Sequence, residues 1–260
     1  VEKYMALAER EKAAAPRLVI FPETAMPFYF IYDKVLTDLV REKAREMESY
    51  FLVGAPSLKQ RGERFTFYNS AYLITPAGEI ADRYDKVHLV PFGEYIPGGD
   101  WWPFLEKIVY GAGDFSPGKT GHVLDLGQWR LGVQICYEII FSDGCRAMVN
   151  NGADVLLNIT NDAWYGRSSA PYQHFSMTVL RAVESRRTLV RAANTGISGW
   201  VEPTGRIRQT TGLFTAITQT YRVPKLEIMS IYTRVGDLFA KICVFCTVCV
   251  IGQSYRRRNL

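Results

Sequence analysis

The stretch Leu131-Gly-Val-Gln-Ile-Cys136-Tyr-Glu-Ile-Ile-Phe141 passes from an apolar run into a short polar turn and back into apolar residues. An apolar run of strand length, without alternation, predicts a strand buried on both faces of a covered sheet. Residues 138–151 predict a helix, so Cys136 falls at a strand-to-helix turn. An open α/β sheet places reactive groups at such turns, and a helix start lowers the pKa of a thiol there.

Apolar runs of this kind recur along the chain and alternate with helical patterns. Strands are predicted over residues 18–21, 51–53, 71–74, 131–136, 155–159 and 189–193, and helices over residues 2–15, 33–49, 138–151 and 173–187. The alternation predicts an α/β protein in which helices cover a doubled sheet. No internal repeat or low-complexity linker divides residues 1–225, which predicts one domain followed by a C-terminal segment, residues 226–260.

Two further strings carry groups that complement the thiol. Phe-Pro-Glu23 closes an apolar run, and Asp-Lys86-Val-His opens a loop rich in Pro and Gly. A free thiol is mostly protonated at neutral pH and needs a base, a role that suits Glu23, while Lys86 can hold negative charge on an attacked carbonyl. Each residue also has a structural alternative: Cys136 as a small buried hydrophobe, Glu23 as a turn or cap carboxylate, and Lys86 as a solvated surface charge.

The composition narrows the class of protein. The 260 residues are 48% apolar, which suits a sizeable core, and the formal net charge is only +5. No dense block of Lys and Arg occurs before residues 256–258, so nucleic acid is not an expected partner. The five cysteines, an odd number with three crowded near one end, do not fit a disulfide framework.

The loop that begins at Lys86 carries a second carboxylate, Glu94, and leads into an aromatic stretch. Trp101, Trp102 and Phe104 follow a Gly-Gly pair. A glycine-hinged aromatic segment is typical of a lid, and Trp is favoured at the headgroup level of a bilayer. The alternative is that these side chains pack into the core.

Several strings together resemble the nitrilase superfamily, and within it the family of bacterial lipoprotein N-acyltransferases. The strings are residues 21–25, 68–70, 86–97, 136–138, 158–166 and 191–198. The Gly-Glu-Tyr-Ile-Pro end of the loop and the Asn-Asp-Ala-Trp-Tyr-Gly string favour the acyltransferase branch over the soluble nitrilases.

The resemblance implies an αββα sandwich with Glu23 as general base, Lys86 as charge stabiliser and Cys136 as nucleophile. It also implies supporting residues around them, Glu94, Glu138, Tyr137 and Asn69, and it makes Trp164 a candidate substrate contact beside the lid residues. It implies no metal and no organic cofactor. The histidines show neither Ser-His-Asp nor metal-ligand spacing, and His88 and His174 are expected to make ordinary hydrogen bonds.

The implied reaction is acyl transfer in two steps. Cys136 takes an acyl chain from a membrane phospholipid, for which phosphatidylethanolamine is expected, and forms a thioester. The α-amine of the diacylglyceryl-cysteine of an apolipoprotein then accepts the chain. The resemblance places the protein in the bacterial inner membrane with the catalytic domain on the periplasmic face.

The C-terminal segment contains an apolar stretch that could form a membrane helix. Residues 238–251 are apolar except for Lys241, and as a helix they would span about 21 Å, short of the roughly 30 Å hydrocarbon layer. Length alone therefore leaves an interfacial or a buried helix open. The resemblance favours a transmembrane helix, with the basic residues 256–258 on the cytoplasmic side.

Two alternatives remain open at this stage. One is a soluble nitrilase-type amidase that acts on small amides or nitriles without lipid. The other is a truncated, non-catalytic protein that binds lipid. The enzymes that the chain resembles carry a bundle of membrane helices before the catalytic domain, and no apolar run of that length precedes residue 238, so a truncated version is expected.

Overall fold

The computed structural model describes residues 1–62, 64–97 and 115–258. The helices are α1 (Glu2–Glu9), α2 (Lys34–Glu46), α3 (Ser142–Asn150), α4 (Ala170–Ser185), α5 (Ile231–Val235) and α6 (Leu238–Arg258). The strands are β1 (Leu18–Ile20), β2 (Tyr50–Arg61), β3 (Arg64–Ile74), β4 (Ile80–Asp85), β5 (Val123–Asp125), β6 (Arg130–Ile135), β7 (Val155–Asn161), β8 (Thr188–Asn194), β9 (Gly199–Val201) and β10 (Ile207–Thr210). Strands and helices alternate over residues 2–50 and 130–194, as the apolar runs predict, whereas β2 to β6 and β8 to β10 follow one another without an α-helix between them among the described residues.

The strands form two sheets. The first has the order β1-β2-β3-β4, with β1 parallel to β2 and the other pairs antiparallel. The second has the order β10-β9-β8-β7-β6-β5, and its central strands β6, β7 and β8 are parallel. Parallel strands are buried on both faces, which explains why the sequences of these three strands are continuous apolar runs.

Two apolar layers hold the sheets and helices together. Between the sheets, Leu52 and Leu73 of the first sheet pack with Val133 and Leu157 of the second. On the outer face of the first sheet, Val40 of α2 is fully buried in a second cluster. Helices α3 and α4 contact the second sheet through β6 and β8. This is an αββα sandwich, and it confirms the predicted fold class.

All four helices predicted before residue 225 differ from the observed ones at their ends, and the last of them, predicted over 173–187, is α4, Ala170–Ser185. The first ends at Glu9, and residues Lys12–Ala14 form a separate 3-10 turn. The second, predicted over 33–49, spans only Lys34–Glu46, and the Asp33 side chain caps its start by accepting a hydrogen bond from the Leu36 N–H. The third, predicted over 138–151, splits into a 3-10 turn, Cys136–Ile140, and α3.

The C-terminal helix is longer than the apolar run that predicted it. Helix α6 has 21 residues, about 31 Å at the α-helical rise, because the polar residues after Ile251 continue the same helix. The segment Leu238–Arg257 is long and apolar enough to cross a membrane, and none of its apolar window is buried against the rest of the protein. The predicted lid residues Trp101, Trp102 and Phe104 lie outside the described residues.

Candidate active site

Cys136 lies at the end of β6, in the turn that leads to α3. Its backbone φ is +53°, in the left-handed region that a residue with a side chain seldom adopts. Holding that conformation costs free energy, and such residues cluster at functional sites. The turn redirects the chain at the edge of the sheet where the parallel strands β6 and β7 both end. Cys136 therefore stands where side chains from several strands meet.

Glu23 reaches the same edge from the first sheet, just after β1. Its Oε2 accepts a hydrogen bond from the backbone N–H of Asn161 at 2.9 Å, which ties it to the end of β7 in the other sheet. The approach depends on Gly54 in β2, because a Cβ there would lie 2.5 Å from the Pro22 carbonyl oxygen and 2.7 Å from the Glu23 Cα. A side chain at position 54 would push Glu23 away.

Lys86 follows β4 directly and is only 1% exposed. Its Nζ lies 2.9 Å from the Glu94 carboxylate and 3.7 Å from Glu23 Oε1. Asn69 of β3 aligns the two acids, because its Nδ2 donates to Glu23 Oε1 and to Glu94 Oε1, each at 2.8 Å. Four residues distant in sequence thus form one buried cluster of ammonium, amide and two carboxylates.

The charges in this cluster shift the pKa values of Lys86 and of the neighbouring Cys136 thiol. Burial disfavours the Lys86 ammonium, but Glu23, Cys136 and Glu94 outweigh that effect and raise its pKa above the ordinary value. Burial, with the Glu23 charge, raises the pKa of the Cys136 thiol to about 12, although Lys86 acts in the opposite direction. The expectation that a helix start would lower the thiol pKa is wrong, since a 3-10 turn separates Cys136 from α3 and desolvation dominates.

Glu138 is buried in the same turn but bonds to other partners. Its carboxylate accepts hydrogen bonds from the backbone N–H groups of Val87 and Ile135, each at 2.7 Å, and from the Tyr84 hydroxyl at 2.9 Å. Burial raises its pKa, and the backbone hydrogen bonds act against that shift. Glu138 therefore ties the start of the Lys86 loop to the Cys136 turn.

Two further predicted site residues, Tyr137 and Trp164, belong to 3-10 turns that follow β6 and β7. Tyr137 is half-buried and packs edge-on against the Phe141 ring, with 5.2 Å between ring centroids. Trp164 follows β7 in a 3-10 turn and is 70% exposed.

A second set of polar residues behind Cys136 was not among the predicted site residues. Asn158, Asp162, His174 and Arg191 are all buried and hydrogen-bonded to one another or to the Cys136 backbone. A signal for them was present in the sequence, because three of the four lie in strings that carry the family resemblance and Asn158 interrupts an otherwise apolar strand.

Comparison with known proteins places this fold and site in a family. Residues 1–225 match the model of the carbon-nitrogen hydrolase family, so the chain belongs to that family. Within it, the chain is 46% identical to the apolipoprotein N-acyltransferase of Geobacter metallireducens over 258 residues, which are 99% of this chain and 50% of the relative. It is 38% identical to the apolipoprotein N-acyltransferase of Rhodopseudomonas palustris, over 94% of this chain and 47% of the relative. The chain thus spans about half the length of the curated relatives it matches, and the predicted resemblance is confirmed.

A solved amidase shows the same fold. The amidase of Nesterenkonia sp. AN1, in a mutant form with the acetamide moiety of fluoroacetamide added covalently at its active site cysteine, superposes with a TM-score of 0.54 at 21% identity. The match covers 82% of this chain and 78% of the amidase. At this identity the likeness supports the fold alone.

Proposed function

We propose that the protein is an apolipoprotein N-acyltransferase in which Cys136 carries the acyl chain as a thioester. The main support for this proposal is the buried cluster of Glu23, Lys86 and Glu94, in which the charges of Glu23 and Lys86 act on the Cys136 thiol. The similarity to curated N-acyltransferases over nearly the whole chain supports the choice of acyl transfer over amide hydrolysis.

In the first step the thiol attacks the ester carbonyl carbon of a phospholipid. Since burial and the Glu23 charge raise the pKa of the Cys136 thiol to about 12, the thiol is protonated at pH 7, and a base must take the proton as the C–S bond forms. Glu23 is that base. Lys86 faces the oxyanion, and one well-placed donor of this kind lowers the barrier by about 3 kcal/mol.

The tetrahedral intermediate then collapses. The ester C–O bond breaks, and Glu23 returns its proton to the departing alkoxide, so that a lysophospholipid leaves and the acyl thioester remains on Cys136. In the second step the α-amine of a diacylglyceryl-cysteine attacks the thioester carbon and gives its proton to Glu23. The C–S bond breaks as the amide forms, and Glu23 returns that proton to the departing sulfur, which restores the Cys136 thiol.

Asn69, Glu94 and Glu138 support this chemistry without reacting. Asn69 and Glu94 hold Glu23 and Lys86 at fixed separation, as their hydrogen bonds indicate. Glu138 anchors the loop that begins at Lys86. Tyr137 and Trp164 are proposed to contact the lipid substrate beside the site.

The catalytic domain is proposed to span residues 1–225, with the segment 226–260 as its membrane attachment. The part of α6 that precedes the basic residues, 238–255, is 18 residues or about 27 Å long, which approaches the roughly 30 Å hydrocarbon layer. The basic residues 256–258 at its end favour the cytoplasmic side, which would put the domain on the periplasmic face of the inner membrane. Phosphatidylethanolamine is proposed as the acyl donor.

Intact-mass spectrometry tests the proposal. After incubation with phosphatidylethanolamine vesicles, the protein should gain the mass of one acyl chain, and hydroxylamine should remove it, as it does a thioester. Cys136→Ala should show no adduct. Cys145→Ala is the matched control, because Cys145 is a buried free cysteine that packs in the core and bonds to Gln134.

Three outcomes would contradict the proposal. An adduct that survives hydroxylamine would place the acyl chain elsewhere, and an adduct on Cys136→Ala would exclude that thiol as the nucleophile. Turnover of small amides with no acyl adduct from phospholipid would indicate a carbon-nitrogen hydrolase instead.

A further inference from the structure

Two side chains converge on the backbone carbonyl oxygen of Cys136. Asn158 Nδ2 donates to it at 3.3 Å, and His174 Nε2 lies 3.2 Å from it. A carbonyl oxygen only accepts hydrogen bonds, so His174 must carry a proton on Nε2. The carbonyl group of Cys136, whose backbone is in the left-handed conformation, thus accepts hydrogen bonds from two side chains, one on β7 and one on α4.

Arg191 of β8 lies behind both donors, with its side chain fully buried. Its guanidinium donates to Asn158 Oδ1, and its Nη2 lies 3.0 Å from His174 Nδ1. A guanidinium stays charged and only donates, so it fixes the Asn158 amide with the oxygen towards Arg191 and the nitrogen towards Cys136. One buried residue therefore orients both groups that hold the Cys136 carbonyl.

Asp162 completes the set and compensates the buried charge. Its Oδ2 lies 2.8 Å from Arg191 Nη2, and its Oδ1 lies 2.9 Å from His174 Nδ1. Burial would raise the pKa of Asp162, but the hydrogen bond from His174 and the charge of Arg191 outweigh it and hold that pKa below its usual value. The carboxylate therefore remains ionised opposite the guanidinium.

We infer that His174 is a positioning residue for acyl transfer: oriented by Arg191 and Asp162, it acts through the Cys136 carbonyl to hold the nucleophile's strained turn in the geometry of attack. This inference rests on the proposed function of Cys136. A strained backbone persists only where its surroundings over-determine it, and two donors on one carbonyl supply that constraint. Misplacement of a reacting group by about 1 Å is enough to lower a rate about a hundredfold.

A pair of isosteric variants isolates the contact to the carbonyl. His174→Gln places an amide nitrogen near the position of Nε2 and retains the donor to Cys136. His174→Asn places its amide near Nδ1, so it keeps a polar partner for Arg191 and Asp162 but loses the donor. His122→Asn, at a half-buried histidine paired with Asp82 on β4, controls for the loss of an imidazole.

Two rates are measured on the intact protein. One is acyl-adduct formation in phosphatidylethanolamine vesicles at varied phospholipid concentration, and the other is alkylation of Cys136 by iodoacetamide in detergent without phospholipid. We expect His174→Asn to melt cooperatively, to lower kcat for acylation about a hundredfold and to leave KM unchanged. Its alkylation rate should fall about tenfold, the equivalent of one lost buried hydrogen bond. His174→Gln and His122→Asn should stay near the wild type in both assays.

Three results would overturn the inference. They are a wild-type kcat in folded His174→Asn, an equal loss in His174→Gln, and a loss that appears only in KM. Should His174→Asn fail to melt cooperatively, Arg191→Lys provides the comparison, because its single ammonium keeps the charge opposite Asp162 but cannot bridge Asn158 and His174. Wild-type rates in folded Arg191→Lys would also overturn it. The alkylation assay needs no lipid, so it tests the positioning role even if the wild type forms no acyl adduct and the proposed function fails.

Discussion

Lys86 and Glu94 form an ion pair inside the protein, with the ammonium nitrogen 2.9 Å from the carboxylate and the lysine 1% exposed. The two residues are eight positions apart, so the pair closes the loop that begins at the end of β4. Glu94 also accepts a hydrogen bond from the Val90 N–H at 2.8 Å. The Lys86 ammonium that is proposed to act in catalysis therefore also stabilises the conformation of the loop between Lys86 and Glu94.

Removal of the Glu94 charge should destabilise the protein and slow acyl transfer together. Glu94→Gln keeps the size of the side chain but leaves the Lys86 ammonium buried opposite Glu23 alone. A broken buried ion pair costs about 3 kcal/mol of unfolding free energy, which thermal melting in detergent would detect. Glu9→Gln is the control, because Glu9 pairs with Lys43 on the surface, and it should melt like the wild type. Equal melting of Glu94→Gln and the wild type would contradict this prediction.

Stability should fall as the pH rises above the pKa of an unfolded cysteine. The folded Cys136 thiol has a pKa of about 12, whereas an unfolded thiol titrates near 8.5. Between those values the unfolded chain has lost a proton that the folded protein retains, so the unfolding free energy falls by about 1.4 kcal/mol per pH unit for this group. Melting of wild type and Cys136→Ser at about pH 8 and about pH 10 should give a steeper loss for the wild type.

The control for the pH experiment is Cys243→Ser. Cys243 is exposed on α6, so its replacement should leave the wild-type pH dependence in place. Identical slopes for Cys136→Ser and the wild type would argue against a buried, protonated thiol.

Trp164 should matter for lipid substrates and not for small ones. Its indole is 70% exposed in the turn after β7, close in sequence to Asn161, which contacts Glu23. Trp is favoured at membrane interfaces, so Trp164→Ala should raise KM for phospholipid in vesicles several-fold, while hydrolysis of a short soluble ester stays unchanged. The KM of Trp164→Phe for phospholipid should lie between those of the wild type and Trp164→Ala. A loss of activity on both substrates would indicate a structural role.

Helix α6 should attach the protein to membranes without contributing to the fold of the domain. The apolar part of α6 is not buried against the rest of the protein. Deletion of residues 238–260 should therefore leave the melting temperature of the domain unchanged, and it should abolish co-flotation with lipid vesicles. The shorter α5 contributes Thr233, which is fully buried and accepts a hydrogen bond from Arg146 through its carbonyl. Residues 230–237 are therefore retained in the deletion. A domain that unfolds without α6 would contradict this prediction.

Local pattern predicted most of the elements but not their ends. The runs at 131–136 and 155–159 predict β6 and β7 because both faces of a parallel strand are buried and apolar. The long hairpin of β2 and β3 was predicted only where it enters the core, at 51–53 and 71–74. Its outer half carries exposed, polar residues such as Lys59 and Gln60, whose strand conformation comes from eleven paired positions across the hairpin.

The sequence by itself determined the fold class and the three groups proposed for catalysis, because apolar periodicity and the strings around Glu23, Lys86 and Cys136 are local properties of the chain. Only the tertiary structure decided what surrounds them. Burial raises the thiol pKa against the expectation from a helix start, and Arg191, distant in sequence, turns His174 and Asn158 towards the Cys136 carbonyl. Desolvation and hydrogen-bond direction depend on which atoms meet in space, and spacing along the chain does not encode that.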